Sequence, residues 1–71
     1  MESKEIVLKA LGNKVKSKRK ETGLTQTQLA YSIGKDQQSI QRLEVGLSNP
    51  SYWFLYEIAE GLNCKIADLI P

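Results

Sequence analysis

No histidine occurs in this chain, and there is one cysteine, Cys64. No Cys/His metal set can be assembled and no disulfide can close within the chain, a cysteine usage that suits a reducing compartment. No apolar run approaches the ~20 residues of a membrane-spanning helix. The opening MESKEIVLKA also lacks the basic, apolar, small order of a signal peptide, so the chain is expected to be soluble and cytoplasmic. Lacking histidine and any pair of carboxylates at one place, it offers no residues for catalysis, and no metal or cofactor is implied. Strand alternation and low-complexity tracts are missing too. What remains, 71 residues with 41% hydrophobic and 25% charged, fits one small globular domain spanning 1–71 and made of short helices.

The chain is organised around Thr25 to Gly46, TQTQLAYSIGKDQQSIQRLEVG. Thr25 and Gln28 have the spacing of a capping box, with Leu24 and Leu29 placed as a hydrophobic staple. A helix starting at Thr25 puts Leu29, Ala30 and Ile33 on one face, and Gly34 supplies the positive φ that ends it. Asp36 can accept from the N–H of Gln38 or Ser39 and so open a second helix, which buries Ile40 and Leu43 and stops at Gly46. On the opposite face, crowded toward the N-terminus, stand Gln37, Gln38, Gln41 and Arg42. Such a face can read base edges, because glutamine pairs bidentately with adenine and arginine with guanine, and a helix fits the major groove.

A net charge of +2 says little, but its distribution says more: Lys14, Lys16, Lys18, Arg19 and Lys20 fall in one run without an acid. That run is either an electrostatic footprint for nucleic acid or a helix end favoured by the dipole.

In chain order, a first helix is expected from about 3 to 22, with Leu8, Leu11 and Val15 as its core stripe, Gly12 as a weak point and Gly23 as its stop. Met1 to Lys4 is expected to be loose. LSNPS is a loop, since Asn-Pro disfavours α backbone and Ser51 is a good cap. A fourth helix then runs from about 52 to 62 with Tyr52, Leu55, Ala59 and Leu62 as core, flanked by Tyr56 and Ile58. Trp53 and Phe54 fall outside that stripe, and either pack on Ile6 and Val7, merely add apolar surface, or form a subunit contact. Ile66, Leu69 and Ile70 suggest a short fifth helix over about 66–70.

The segments KSKRKETGLTQTQLA and SIGKDQQSIQRLEVG, the loop SNPS and the IAEGL of the fourth helix together resemble the helix-turn-helix domains of lambdoid phage repressor and Cro, broadly the Xre-like regulators. The resemblance covers roughly Leu11 to Ile70. It implies a compact, all-α, five-helix, lambda-repressor-like fold with the helix-turn-helix at about 25–46. It also implies that Gln37 and Gln38 meet bases, that Ser39 lies near bases or backbone as a further base-reading candidate, and that Gln26 meets a phosphate through its backbone N–H while its side chain braces the recognition helix. Lys35, Lys18 and the N–H of Asn49 are further phosphate candidates. Arg19 and Glu44 match an internal ion pair. Arg42 departs from the glutamine of the closest phage relatives, which implies guanine or phosphate there. Val45, Leu47 and Ser48 stand where polar or basic residues are frequent, so the loop should contribute less affinity.

Members of this fold dimerise on half-sites about one DNA turn apart. A homodimer on double-stranded DNA, entering the major groove of a near-palindromic operator, is therefore expected, with Trp53, Phe54, Ile66, Leu69 and Ile70 at the contact. The implied function is a transcriptional regulator, most simply a repressor. A restriction-modification controller, an antitoxin with a protein partner, or a protein-bridging module are the alternatives.

Overall fold

The computed structural model describes residues 2–71, and each of its helices opens on a side-chain cap. Ser3 accepts from Ile6 N at 3.2 Å and starts α1 (Lys4–Glu21). Thr25 and Gln28 form the full capping box, at 3.0 and 2.9 Å, and start α2 (Gln26–Ser32). Asp36 accepts from Ser39 N at 2.8 Å and starts α3 (Gln37–Glu44), and Ser51 accepts from Phe54 N at 3.0 Å and starts α4 (Tyr52–Gly61). Caps satisfy N–H groups that the helix itself leaves unpaired, so these starts are decided within four residues of sequence. Gly23, Gly34 and Gly46, at φ of 78°, 69° and 82°, close the first three helices. Lys4 is already helical, so the loose start does not extend to it; Met1 lies outside the described residues.

The core is shared by all four helices: Leu11 and Val15 from α1, Leu29 and Ala30 from α2, Ile40 and Leu43 from α3, Leu55, Ile58 and Ala59 from α4, with Leu62 and Leu69 beyond. A fully buried leucine or isoleucine stabilises by about 1.5–3 kcal/mol relative to exposure. Leu55, Ala59 and Leu62 of the expected α4 stripe are core; Ile58, expected beside it, is fully buried with them, whereas Tyr52 is 73% exposed.

The expected fifth helix is instead a 3-10 turn at Ile66–Asp68. Asn63 ends the α4 segment with a left-handed φ of 54°. Asp68 Oδ2 then accepts from Lys65 N at 3.0 Å, and the tight bond from Leu69 N to Ile66 O at 2.8 Å drives Leu69 into the core.

Gly12 is where α1 meets α3. A Cβ at that position would strike Leu43 O and lie 2.6 Å from Glu44 O, so the backbones approach closer than any side chain permits. The residue expected to weaken α1 is the one that lets α1 pack on the end of α3.

Candidate nucleic-acid interface

With Ile40 and Leu43 fully buried, α3 turns its other face outward: Gln37, Gln38, Gln41 and Arg42 are all exposed. The orientation of Gln37 is governed by a hydrogen-bond relay that begins in the core. Arg19, 7% exposed, donates from Nε to Glu44 Oε2 at 2.6 Å and from Nη2 to Oε1 at 3.0 Å, while Nη1 donates to Leu24 O at 2.7 Å. The Glu44 hydrogen bond raises the Arg19 pKa above its ordinary value; burial opposes the shift and the Glu44 charge reinforces it. Gln26 Nε2 adds a third bond to the carboxylate, reaching Glu44 Oε1 at 3.0 Å. Gln37 Nε2 then donates to Gln26 Oε1 at 2.7 Å.

The direction of this relay follows from chemistry. An ionised carboxylate only accepts, so Gln26 must present its NH2 to Glu44 and its oxygen to Gln37, which in turn must donate. Gln37 is left with a free Oε1 and one free N–H. That pair matches adenine, whose N6–H donates and whose N7 accepts.

Ser39 is held differently. Its Oγ donates to Asp36 Oδ1 at 2.6 Å, alongside the backbone bond that caps α3. The hydroxyl proton is committed, so Ser39 can offer a base only an acceptor. Those same Ser39 donors, the hydroxyl first, hold the Asp36 carboxyl below its ordinary value near 3.8.

Arg42 leans along α3, its Nη2 at 3.4 Å from Leu47 O, and borders a surface recess with Ser39, Ser48, Asn49 and the start of α4. Asn49 is exposed there. Val45 and Leu47 are also exposed and present apolar surface.

The structure does not gather the basic run into one patch. Helical rotation buries Arg19, leaves Lys14, Lys16 and Lys20 exposed, and places Lys18 in a groove against Cys64 and Asp68, its Nζ 3.9 Å from Glu21. Burial, then Asp68, pushes the Cys64 thiol up, while Lys18 pulls the other way. Lys35 folds back on α4, where its Nζ lies 3.5 Å from Glu57 Oε1 and 5.8 Å from the Phe54 ring centre. That pairing was not visible in sequence, since 22 residues separate Lys35 from Glu57.

The set expected at a subunit contact divides. Leu69 is fully buried in its own chain and cannot meet a partner; Phe54 and Ile66 are partly buried against the core. Trp53 is 65% exposed and stacks on Tyr56 at 5.3 Å rather than on Ile6 and Val7, which are themselves exposed, and Ile70 stays exposed. Tyr52 and Tyr56, expected in or beside the core, are exposed, as is Tyr31 on α2, which the sequence pattern did not single out.

Among the described residues no helix is long and apolar enough to cross a membrane, and no three His, Cys, Asp or Glu side chains cluster.

A family model described as helix-turn-helix matches residues 15–69. An uncharacterized HTH-type transcriptional regulator of Archaeoglobus fulgidus is 38% identical over 56 residues, covering 79% of this chain and 80% of that protein. The HTH-type regulator y4dJ of Sinorhizobium fredii is 36% identical over 62 residues, covering 87% and 80%. Among solved structures, the restriction-modification controller protein C.AhdI from Aeromonas hydrophila superposes with a TM-score of 0.92 at 25% identity, over 97% of this chain and all of that one. The clp gene regulator ClgR from C. glutamicum does so with 0.86 at 27% identity, over 89% and 81%.

Proposed function

We propose, for a chain that belongs to the helix-turn-helix family of the Xre (Cro/C1) type, that it regulates transcription by binding a specific double-stranded DNA site. It does so as a homodimer, and acts as a repressor by occupying a near-palindromic operator. The observation that carries this reading is the α3 surface: its reading residues are exposed on one side, and its first glutamine is oriented by a relay anchored in the core.

In this reading Gln37 and Gln38 pair with bases and Ser39 accepts from one, while Arg42 meets guanine or a phosphate. The N–H groups at Gln26 and Asn49 meet the backbone, as helix starts and loops commonly do. Lys35 and Lys18 supply charge from positions already facing Glu57 and Glu21, so they contribute weakly. One protomer with so few contacts discriminates poorly among a genome's sites, and two copies on adjoining half-sites overcome that.

Selection of bound sequences from a random oligonucleotide pool tests the proposal. The expected product is a two-fold symmetric site with half-sites about one turn apart. Gln37→Ala or Gln38→Ala should then weaken the selected site by about 1–3 kcal/mol with little change on random DNA. Equal losses on both DNAs, or no enriched sequence, would remove base reading and favour a bridging role.

The likeness to C.AhdI supports a second reading, a controller of a restriction-modification system that regulates its own promoter. Recovery of the selected site upstream of a neighbouring endonuclease gene distinguishes it from a plain repressor.

A further inference from the structure

We propose that Glu57 of α4 is a positioning residue that holds the Lys35 side chain away from the DNA backbone, so that the bound state gains no phosphate contact from the turn between α2 and α3. This rests on the DNA reading above and narrows the part given there to Lys35. The turn itself is fixed: Gly34 adopts a φ of 69°, and Lys35 N donates to Ala30 O at 2.9 Å. Lys35 stands one residue before the Asp36 cap and two before Gln37, at the end of α3 that enters the groove in that reading. A lysine swung outward from there would lie beside the duplex backbone. Its side chain goes the other way. Nζ sits 3.5 Å from Glu57 Oε1 and 5.8 Å from the centre of the Phe54 ring, with the lysine side chain 39% and the glutamate side chain 23% exposed.

Burial decides which partner Lys35 keeps. Glu57 Oε1 is shielded from solvent and has no hydrogen-bond partner among the described residues, so the nearby ammonium is what offsets its charge. Drawing Lys35 onto a phosphate would leave that oxygen charged, dehydrated and uncompensated, which is the costly way to break such a pair. The Phe54 face would lose its cation in the same movement. Lys18 gives the contrast. Its partner Glu21 is 67% exposed and 3.9 Å away, so water replaces the lysine there at little cost and that pair sets no such limit.

The salt dependence of binding to a duplex carrying one half-site of the selected operator tests this, because each phosphate neutralised steepens the plot of log affinity against log salt by about 0.9. Glu57→Gln, which keeps the shape and removes the charge, should steepen that slope by about one phosphate's worth and tighten binding at low salt. Lys35→Met in the otherwise wild-type chain should leave the slope unchanged, and Glu57→Gln combined with Lys35→Met should return it to the wild-type value. Glu60→Gln removes the same charge from an exposed position three residues along α4 that forms no ion pair among the described residues, and should leave the slope unchanged. A slope lowered by Lys35→Met alone would show Lys35 already on a phosphate and overturns the proposal. So does an unchanged slope in Glu57→Gln, even with a shifted melting temperature, or equal steepening in Glu60→Gln. Loss of preference for the selected site over random DNA in Gln37→Ala keeps the DNA reading standing when this proposal fails, whereas a wild type that binds neither DNA overturns both.

Discussion

Gln37 donates to Gln26 at 2.7 Å across the turn between α2 and α3, which ties the first residue of the reading face to the helix behind it. Both side chains are long amides that would otherwise sample many rotamers, and ordering them before DNA arrives lowers the cost of binding. Gln26 is in turn tied to Glu44, so the order comes from the core.

Removing the brace should therefore cost affinity without removing a base contact. Gln26→Ala is expected to weaken a selected operator, and a double-mutant cycle with Gln37→Ala should give a coupling of about 0.5–3 kcal/mol. Additive losses in a binding titration would mean that Gln37 orients itself.

The Arg19–Glu44 pair is nearly inaccessible to solvent, and each charge is satisfied by the other plus one neighbouring group. Glu44→Ala leaves Arg19 buried and unpaired, which should cost about 3–5 kcal/mol. In a domain of this size the melting temperature should then fall by more than about 10 °C. Thermal denaturation followed by circular dichroism reads this directly, and a melt within a degree or two of wild type would show the pair to be dispensable.

Gly12→Ala reverses the usual helix rule. Propensity alone favours alanine by about 1 kcal/mol. The added methyl meets backbone oxygens of Leu43 and Glu44, which cannot rotate away, so α1 and α3 must separate. Net destabilisation of about 1–3 kcal/mol is expected in urea denaturation. Stabilisation would mean that the two helices can move apart freely.

The cap of α3 gives a pH signature. The Asp36 pKa is lowered in the folded chain by the Ser39 hydroxyl and then by the Ser39 backbone N–H. Its contribution is complete above about pH 4 and is lost as pH falls through the lowered value, because protonation removes the accepting charge. Asp36→Asn keeps a cap without that charge. Wild type should be the more stable at neutral pH, with the difference closing in acid; a difference constant down to pH 2–3 would exclude Asp36 as its source.

How far the fold was legible follows from the range of each interaction. The caps at Thr25, Asp36 and Ser51 and the terminating glycines are settled within four residues, and each took its expected place. The C-terminal segment differs for the converse reason. Ile66, Leu69 and Ile70 carry helical spacing, but Leu69 is buried in a core built by distant helices, and the segment that delivers it there is a 3-10 turn.

Sequence alone determined where each helix begins, that the chain is all-helical, and that amides and a guanidinium share the side of α3 opposite Ile40 and Leu43. Those properties depend on neighbours along the chain and on the 3.6-residue period. Tertiary structure alone decided that Gly12 admits α3, that Lys35 lies on Glu57 and Phe54, that Arg19 leaves the basic run for the core, and that Tyr52 and Tyr56 face outward. Each of these depends on how closely two distant segments approach, and helical period carries no information about that distance.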